Sequence, residues 1–191
     1  MSLEKIKVQT CTPTTPLRSG RGYYQLEEDV LFVQLGQFSF RNRYFSFLES
    51  RKVRFDINKR GQLIFIELNV PRRQWKTNEN FSFPITFKET DLRFTDFREY
   101  IKEPLITTNQ DKSSIRISFE TEYSSDFAYL LSENVICQVT KDQILSSIFI
   151  TDIQDDFAGR ELGKFRKKLT ASAGETVMAG QISPIINYPP H

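Results

Sequence analysis

Histidine is almost absent from this chain, since the only one among its 191 residues is His191. This excludes Ser-His-Asp and Cys-His catalysis, histidine general bases and histidine-rich metal sites. The two cysteines, Cys11 and Cys137, form no CxxC pair and lack metal-ligand spacing. Cys137 lies in an apolar run that is typical of a buried, reduced thiol. We therefore expect no metal and no cofactor.

Long apolar runs and glycine-rich phosphate loops are missing as well. No stretch approaches the roughly 18 apolar residues of a membrane-spanning helix. The segment from Met1 to Lys5 is not apolar, so we expect no signal peptide, no membrane partner and a cytoplasmic location. The motifs GxGxxG, GxxxxGKS/T, GxSxG and HExxH do not occur. Nucleotide-binding, hydrolase and metalloprotease functions therefore have no support.

The charge is balanced overall but unevenly distributed. In total, 26 Lys/Arg and 24 Asp/Glu give a net charge of +2. Residues 1–80 hold 14 basic and 8 acidic residues, whereas residues 81–191 hold 12 and 16. Such a chain can associate head to tail, or present its basic half to a polyanion. The 17 Phe residues provide enough apolar surface for a sizeable core.

Two segments in different halves of the chain resemble each other. Residues 47–68 and 129–150 align without a gap, and many of the shared positions are apolar. The identical pairs are Leu48/Leu130, Ser50/Ser132, Val53/Val135, Lys59/Lys141, Leu63/Leu145 and Ile66/Ile148. We interpret the segments as two copies of one β module. The alternative is that any two amphipathic hairpins share such a pattern.

The pattern of apolar residues within these segments predicts the secondary structure. Alternation over 31–35 predicts a strand, and the near-palindrome FSFRNRYFSF at 38–47 predicts a hairpin. A second hairpin is expected over 51–68, with Gly61 supplying a positive φ in its turn. Helices are predicted from Thr90 to Lys102 and from Asp152 to Leu169.

These elements predict a mainly β fold. We expect antiparallel sheets from two repeated β modules, forming a sandwich or barrel, with one or two short helices. The expected parts are an N-terminal segment (1–22), a first β module (23–88), a connecting helix or loop (89–110), a second β module with a C-terminal helix (111–170), and an extended or disordered tail (171–191).

Part of the first copy resembles a known family. The residues that carry the likeness are Tyr24, Glu27, Glu28, Asp29, Leu31, Val33, Val53, Phe55, Asp56, Gly61, Leu63, Ile66, Glu67 and Leu68. In this spacing they resemble the short bacterial family DUF2283, over about residues 23–68, with a diverged second copy over about 111–153. That family has no assigned function, so the resemblance implies an antiparallel β module and no chemistry. The chain departs from it by an aromatic insertion at 36–47 and by Phe65 where the family favours glycine.

Basic and aromatic residues are interleaved in the first half of the chain. On a β surface, Arg can neutralise phosphates while aromatic rings stack on the bases of single-stranded nucleic acid. The same pattern arises on any half-exposed strand whose aromatic residues face the core and whose basic residues face water. This basic–aromatic set comprises Arg41, Arg43, Tyr44, Arg51, Lys52, Arg54, Arg72, Arg73 and Trp75.

The sequence as a whole favours a non-catalytic interaction or scaffold protein that self-associates. The reasons are the missing catalytic constellation, the duplicated β unit and the uneven charge; the expected partner is another protein or a second copy. One alternative is a nucleic-acid-binding protein that uses the basic–aromatic set. A second is a carboxylate- or metal-dependent enzyme, which requires Asp56 and Glu67 to share one cleft.

Overall fold

The computed structural model of the chain describes residues 2–36, 43–119 and 127–178. These residues form sixteen strands and one α-helix, which confirms the mainly β prediction. The strands are β1 (Val8–Cys11), β2 (Gly20–Gln25), β3 (Val30–Leu35), β4 (Ser46–Glu49), β5 (Val53–Ile57), β6 (Leu63–Leu68), β7 (Lys76–Thr77), β8 (Lys88–Glu89), β9 (Asp91–Phe94), β10 (Glu99–Tyr100), β11 (Leu105–Thr108), β12 (Ile115–Ser118), β13 (Phe127–Ser132), β14 (Val135–Val139), β15 (Leu145–Ile150) and β16 (Ile153–Asp156), and the helix is α1 (Arg160–Met178).

In the described residues these strands form two seven-stranded sheets and the two-stranded pair β1–β9. The first sheet has the order β10-β4-β5-β6-β3-β2-β16, and the second has the order β8-β13-β14-β15-β12-β11-β7. The outermost pairings of both sheets are parallel, and every inner pairing is antiparallel. Over the described strands neither sheet closes into a barrel, and the two together resemble a sandwich.

The two sheets also share their strand register. Val53 pairs with Leu68 in the first sheet, and Val135 and Ile150, the residues aligned with them in the sequence, pair in the second. The β5–β6 ladder shifts register after Asp56, and the β14–β15 ladder shifts at the equivalent position. A position in one sheet can therefore be compared directly with its counterpart in the other.

The turn of the first hairpin contains the glycine that the sequence predicts. Gly61 has a φ of +79°, and a Cβ atom there would lie 2.5 Å from the carbonyl oxygen of Phe94. In the second hairpin Gln143 occupies the same position with a φ of +59°. The hairpin predicted over 51–68 is thus confirmed, with β5 and β6 as its strands.

Each sheet is completed by a strand from the other half of the chain. After β6, a 3-10 turn at Arg72–Gln74 leads the chain to β7, at the edge of the second sheet. After β15, the chain passes directly into β16, at the edge of the first sheet. The two halves are therefore interlocked and do not form independent units.

One apolar core fills the space between the two sheets. Its fully buried members include Val33, Phe55 and Ile66 from the first sheet, and Ile117, Val135 and Ile148 from the second. Burial of each such side chain stabilises the fold by about 1.5–3 kcal/mol. Because both sheets supply the inner faces of this core, neither can be removed without exposing the other.

The helix α1 covers the outer face of the first sheet. Phe165 packs edge-on against Phe32, with ring centroids 4.9 Å apart, and also lies 5.4 Å from the ring of Phe65. Together with Leu162 and Ile64 these rings form a second, smaller apolar cluster. The outer face of the second sheet carries no such helix within the described residues.

Two expectations about local structure are corrected. The helix predicted from Thr90 to Lys102 was wrong, because Leu92 and Phe94 are buried while Asp91 and Arg93 are not, the alternation of a strand. The second helix begins at Arg160, after β16, and continues through residues 171–178, which were expected to be extended or disordered. The tail beyond 178 and residues 38–42 of the hairpin predicted at 38–47 lie outside the described residues.

Candidate functional site

The residues of the basic–aromatic set lie in several separate parts of the fold. Arg41 lies outside the described residues. Arg43 is half-buried, and Tyr44 packs beside the apolar cluster beneath α1. Arg51 and Lys52 lie in the turn between β4 and β5, at one end of the first sheet.

Carboxylates or backbone oxygens already bind the cations of the β4–β5 region. Arg51 pairs with Glu103 at 3.1 Å, and the Nζ atom of Lys52 donates to the carbonyl of Pro104. Arg54 lies 3.0 Å from Glu49 and 2.9 Å from Asp56. The guanidinium of Arg54 is therefore anchored by two acids within its own sheet.

The residues that follow β6 are held in the same way. Arg72 pairs with Asp155 at 2.7 Å and lies 4.2 Å from the ring of Tyr24, while Arg73 pairs with Asp29 at 3.0 Å. Trp75 is buried, and its indole N–H donates to the carbonyl of Val70. This indole belongs to the core, so it offers no face on which a base could stack.

Asp56 and Glu67 project from the same outer face of the first sheet, because Arg54 pairs across strands with Glu67 and lies on the same side of its strand as Asp56. Burial raises the pKa of Asp56 to about 6, against the opposing influence of Arg54. The Asp56 carboxyl is only 5% exposed and is bound by the guanidinium of Arg54. It is thus a buried partner of Arg54 rather than an open catalytic group.

Two further acidic residues, Asp29 and Asp156, serve local structure. Asp29 has a φ of +56° in the β2–β3 turn and accepts a hydrogen bond from the hydroxyl of Tyr24 at 2.7 Å. The carboxylate of Asp156 accepts the backbone N–H groups of Glu161 and Leu162, at 3.0 and 2.9 Å, and so caps α1.

The edges of the two sheets expose aromatic side chains. At the β4–β10 edge, Phe45 and Phe97 are 41% and 37% exposed, with their rings 6.1 Å apart. At the β13–β8 edge, Phe127 and Phe87 are 50% and 44% exposed. We call these the first edge and the second edge. In the loop before β8, Ile85 is 99% exposed and extends the apolar surface of the second edge.

The two edges occupy equivalent positions. Glu99 pairs with Leu48 at the first edge, and Glu89 pairs with Leu130, the aligned counterpart of Leu48, at the second. The edge segments therefore correspond as Phe97-Arg98-Glu99 and Phe87-Lys88-Glu89. Arg98, Glu99, Lys88 and Glu89 are all exposed, and no ion pair joins them to another residue of the described ranges.

A polar cavity of about 410 Å³ lies on the outer face of the second sheet, beside β7, β11 and β12. Lys76 and Arg116 provide its cationic groups, and Glu79 provides a carboxylate. Hydroxyl and amide groups supply most of the remaining lining, among them Asn78, Thr107 and Ser118.

Neither metal ligation nor membrane spanning is visible in the part of the chain that the structure describes. Residues 2–36, 43–119 and 127–178 contain no group of three or more His, Cys, Asp or Glu side chains arranged to hold a metal ion. The helix found in these ranges is not apolar enough over its length to cross a membrane. No protein-family model matches the chain, and no curated protein is found to be similar to it.

Sequence reasoning missed both edges and the cavity. Phe97 falls within the predicted helix and Phe87 at the end of the first β module, and neither was expected at a sheet edge, although the recurrence of Phe-Lys-Glu as Phe-Arg-Glu was a visible signal. The cavity joins Lys76 and Arg116, which are distant in the sequence, and it depends on β7 crossing to the second sheet. No local sequence pattern predicts that β7 crosses to the second sheet.

Proposed function

We propose that this protein is a non-catalytic interaction protein that self-associates by docking the first edge of one copy on the second edge of the next. The observation that carries the proposal is that both edges expose two Phe side chains beside two charged residues without ion-pair partners in the described ranges. Exposed aromatic surface of this kind is typical of protein–protein interfaces.

The charges of the two edges are complementary. Arg98-Glu99 and Lys88-Glu89 carry their charges in the same order along the chain. An antiparallel approach therefore sets Arg98 of one copy opposite Glu89 of the next, and Glu99 opposite Lys88. The same approach brings Tyr100, which is 62% exposed, opposite Phe87. Two pairs of opposite charges beside an aromatic contact favour this pairing and its orientation.

Docking one edge on a different edge has a consequence for the assembly. Each added copy leaves one first edge and one second edge unoccupied, so association is open-ended unless the rotation between copies closes a ring. The excess of basic residues in the first half and of acidic residues in the second also favours head-to-tail contact.

Light scattering after size exclusion tests the role of the aromatic rings. We expect the native chain to give a mass above one chain that rises with concentration, and Phe97→Ser or Phe87→Ser to lower it. Phe157→Ser is the matched control, because Phe157 is 70% exposed in a 3-10 turn away from both edges. Equal masses for the edge variants and the native chain would contradict the proposal.

A charge exchange tests the pairing itself. Arg98→Glu sets two acids opposite each other at the interface and is expected to weaken association, whereas Arg98→Glu combined with Glu89→Arg restores the opposite pair. Failure of the double variant to recover the native mass, with both variants folded by circular dichroism, would exclude edge-to-edge docking in this register.

We also infer that the two sheets are copies of one β module, as their equal strand order and register support. The resemblance to DUF2283 and the cytoplasmic location stay predictions. For the nucleic-acid alternative, Arg51, Arg54, Arg72 and Arg73 are already paired with carboxylates. For the enzyme alternative, Asp56 is buried against Arg54, so we propose neither function.

A further inference from the structure

We propose that the polar cavity on the outer face of the second sheet is a binding site for a small hydroxylated anion, a compound with one phosphate or carboxylate group on a polyhydroxy skeleton. This site is separate from both edges and independent of self-association.

Comparison of the two sheets shows that the cavity is a specific departure from the common plan. In the first sheet Phe32 pairs across strands with Glu67, and in the second sheet Arg116 pairs with Phe149. Because Phe149 is the aligned counterpart of Glu67, Arg116 is the counterpart of Phe32. Thr107 is likewise the counterpart of Tyr23. In the first sheet Phe32 is covered by α1, whereas in the second sheet this position opens on the cavity.

The side chain of Arg116 is oriented by the residues behind it. Its Nη2 atom donates to the Oε1 atom of Gln138 at 3.2 Å, and its guanidinium carbon lies 5.2 Å from the ring centroid of Phe149. The same Oε1 atom accepts a hydrogen bond from the hydroxyl of Ser147 at 2.7 Å. These contacts fix the orientation of the guanidinium and place its positive charge in the lining of the cavity.

The remaining groups of the cavity define the rest of the ligand. Lys76 lies at the parallel β7–β11 junction, opposite Thr107, and adds a second positive charge to the lining. Glu79 accepts hydrogen bonds, while Asn78 and Ser118 both donate and accept, as hydroxyl groups of a ligand require. The volume of about 410 Å³ falls in the range of small-molecule sites and suits a hexose-sized anion.

Isothermal titration with glucose 6-phosphate and gluconate distinguishes the two oxyanion types, and neutral glucose tests the need for charge. We expect at least one of the two anions to bind and glucose not to bind at concentrations up to about 10 mM. Lys76→Gln and Arg116→Gln are each expected to weaken binding at least about tenfold, since each removes a positive charge from the lining of the cavity. Lys141→Gln, in the exposed β14–β15 turn, is the matched control and should bind as the native chain does.

Lys76 is exposed, so its variant keeps the proposal testable even where Arg116→Gln fails to fold. Amide chemical shifts that move on titration should cluster at β7, β11 and β12. Absence of binding by both anions, equal affinity of Lys76→Gln and the native chain, or shifts confined to other strands would overturn the assignment. None of these results depends on the first or the second edge, so the experiment tests the anion site independently of self-association.

Discussion

Replacement of Gly61 by alanine tests the hairpin turn on which the first sheet depends. Gly61 has a φ of +79°, a conformation that costs an L-residue about 1–2 kcal/mol. The added Cβ would lie 2.5 Å from the carbonyl oxygen of Phe94 and disturb the 2.7 Å hydrogen bond from the N–H of Phe94 to the carbonyl of Gly61. That bond contributes about 1 kcal/mol more. We expect Gly61→Ala to lower the free energy of unfolding by about 2–3 kcal/mol in total.

Gly163 in α1 provides the opposite case in the same chain. Apart from its chain neighbours and the backbone of its own helix, no atom lies within 4 Å of a Cβ placed at Gly163, and the residue is inside a helix. Gly163→Ala should therefore stabilise α1 by about 0.5–1 kcal/mol.

Both variants can be measured by urea unfolding. Trp75 is the only Trp and is buried in the core, so its fluorescence follows the sheets, while far-ultraviolet circular dichroism follows α1. A Gly61→Ala variant within about 0.5 kcal/mol of the native chain would refute the reasoning about the turn.

Three further changes probe the first sheet and its helix. Because burial raises the pKa of Asp56 from 3.8 to about 6, the free energy of unfolding falls by up to about 3 kcal/mol as the pH rises from 4 to 6. Asp56→Asn should abolish this fall, so that the variant is as stable at every pH as the native chain is at pH 4. The expectation is contradicted if urea unfolding gives the native chain and the variant the same pH dependence from pH 4 to 8. Phe165→Ala removes the ring that contacts Phe32 and Phe65, so the helical circular dichroism of α1 should be lost at a lower urea concentration. The urea midpoint of the Trp75 fluorescence should not change. A single transition shared by both signals would show instead that the helix and the sheets unfold together. Asp156→Ala deletes the cap of α1 and should cost about 1 kcal/mol of helix stability, and an unchanged circular dichroism melting curve would argue against the cap.

Local patterns of the sequence were sufficient to predict the hairpin over 51–68. The alternation in Val53, Phe55 and Ile57 marks a strand with one buried face, and Gly61 marks the turn that follows. The likeness of residues 47–68 and 129–150 also predicted which strands correspond, since the shared register depends on the same apolar positions.

The other features depend on contacts that no local pattern encodes. Phe94, Phe97 and Ile101 fit helical spacing, but burial of Leu92 and Phe94 against the core favours a strand. The pairing of β7 and β16 with distant strands is set by where the chain leaves each sheet. The basic–aromatic set was identified because its residues lie close together in the sequence. Two of its carboxylate partners, Glu103 and Asp155, lie far from it along the chain.

The measurement that tests the central claim most directly is the mass of the native chain in solution. Sedimentation velocity from about 1 to about 200 μM would follow association without changing the protein. Docking of the first edge on the second predicts an average mass that rises past the dimer as concentration increases, with higher salt weakening but not abolishing the assembly. A single-chain mass at every concentration would contradict self-association, and a mass that stops at the dimer would contradict open-ended docking of unlike edges.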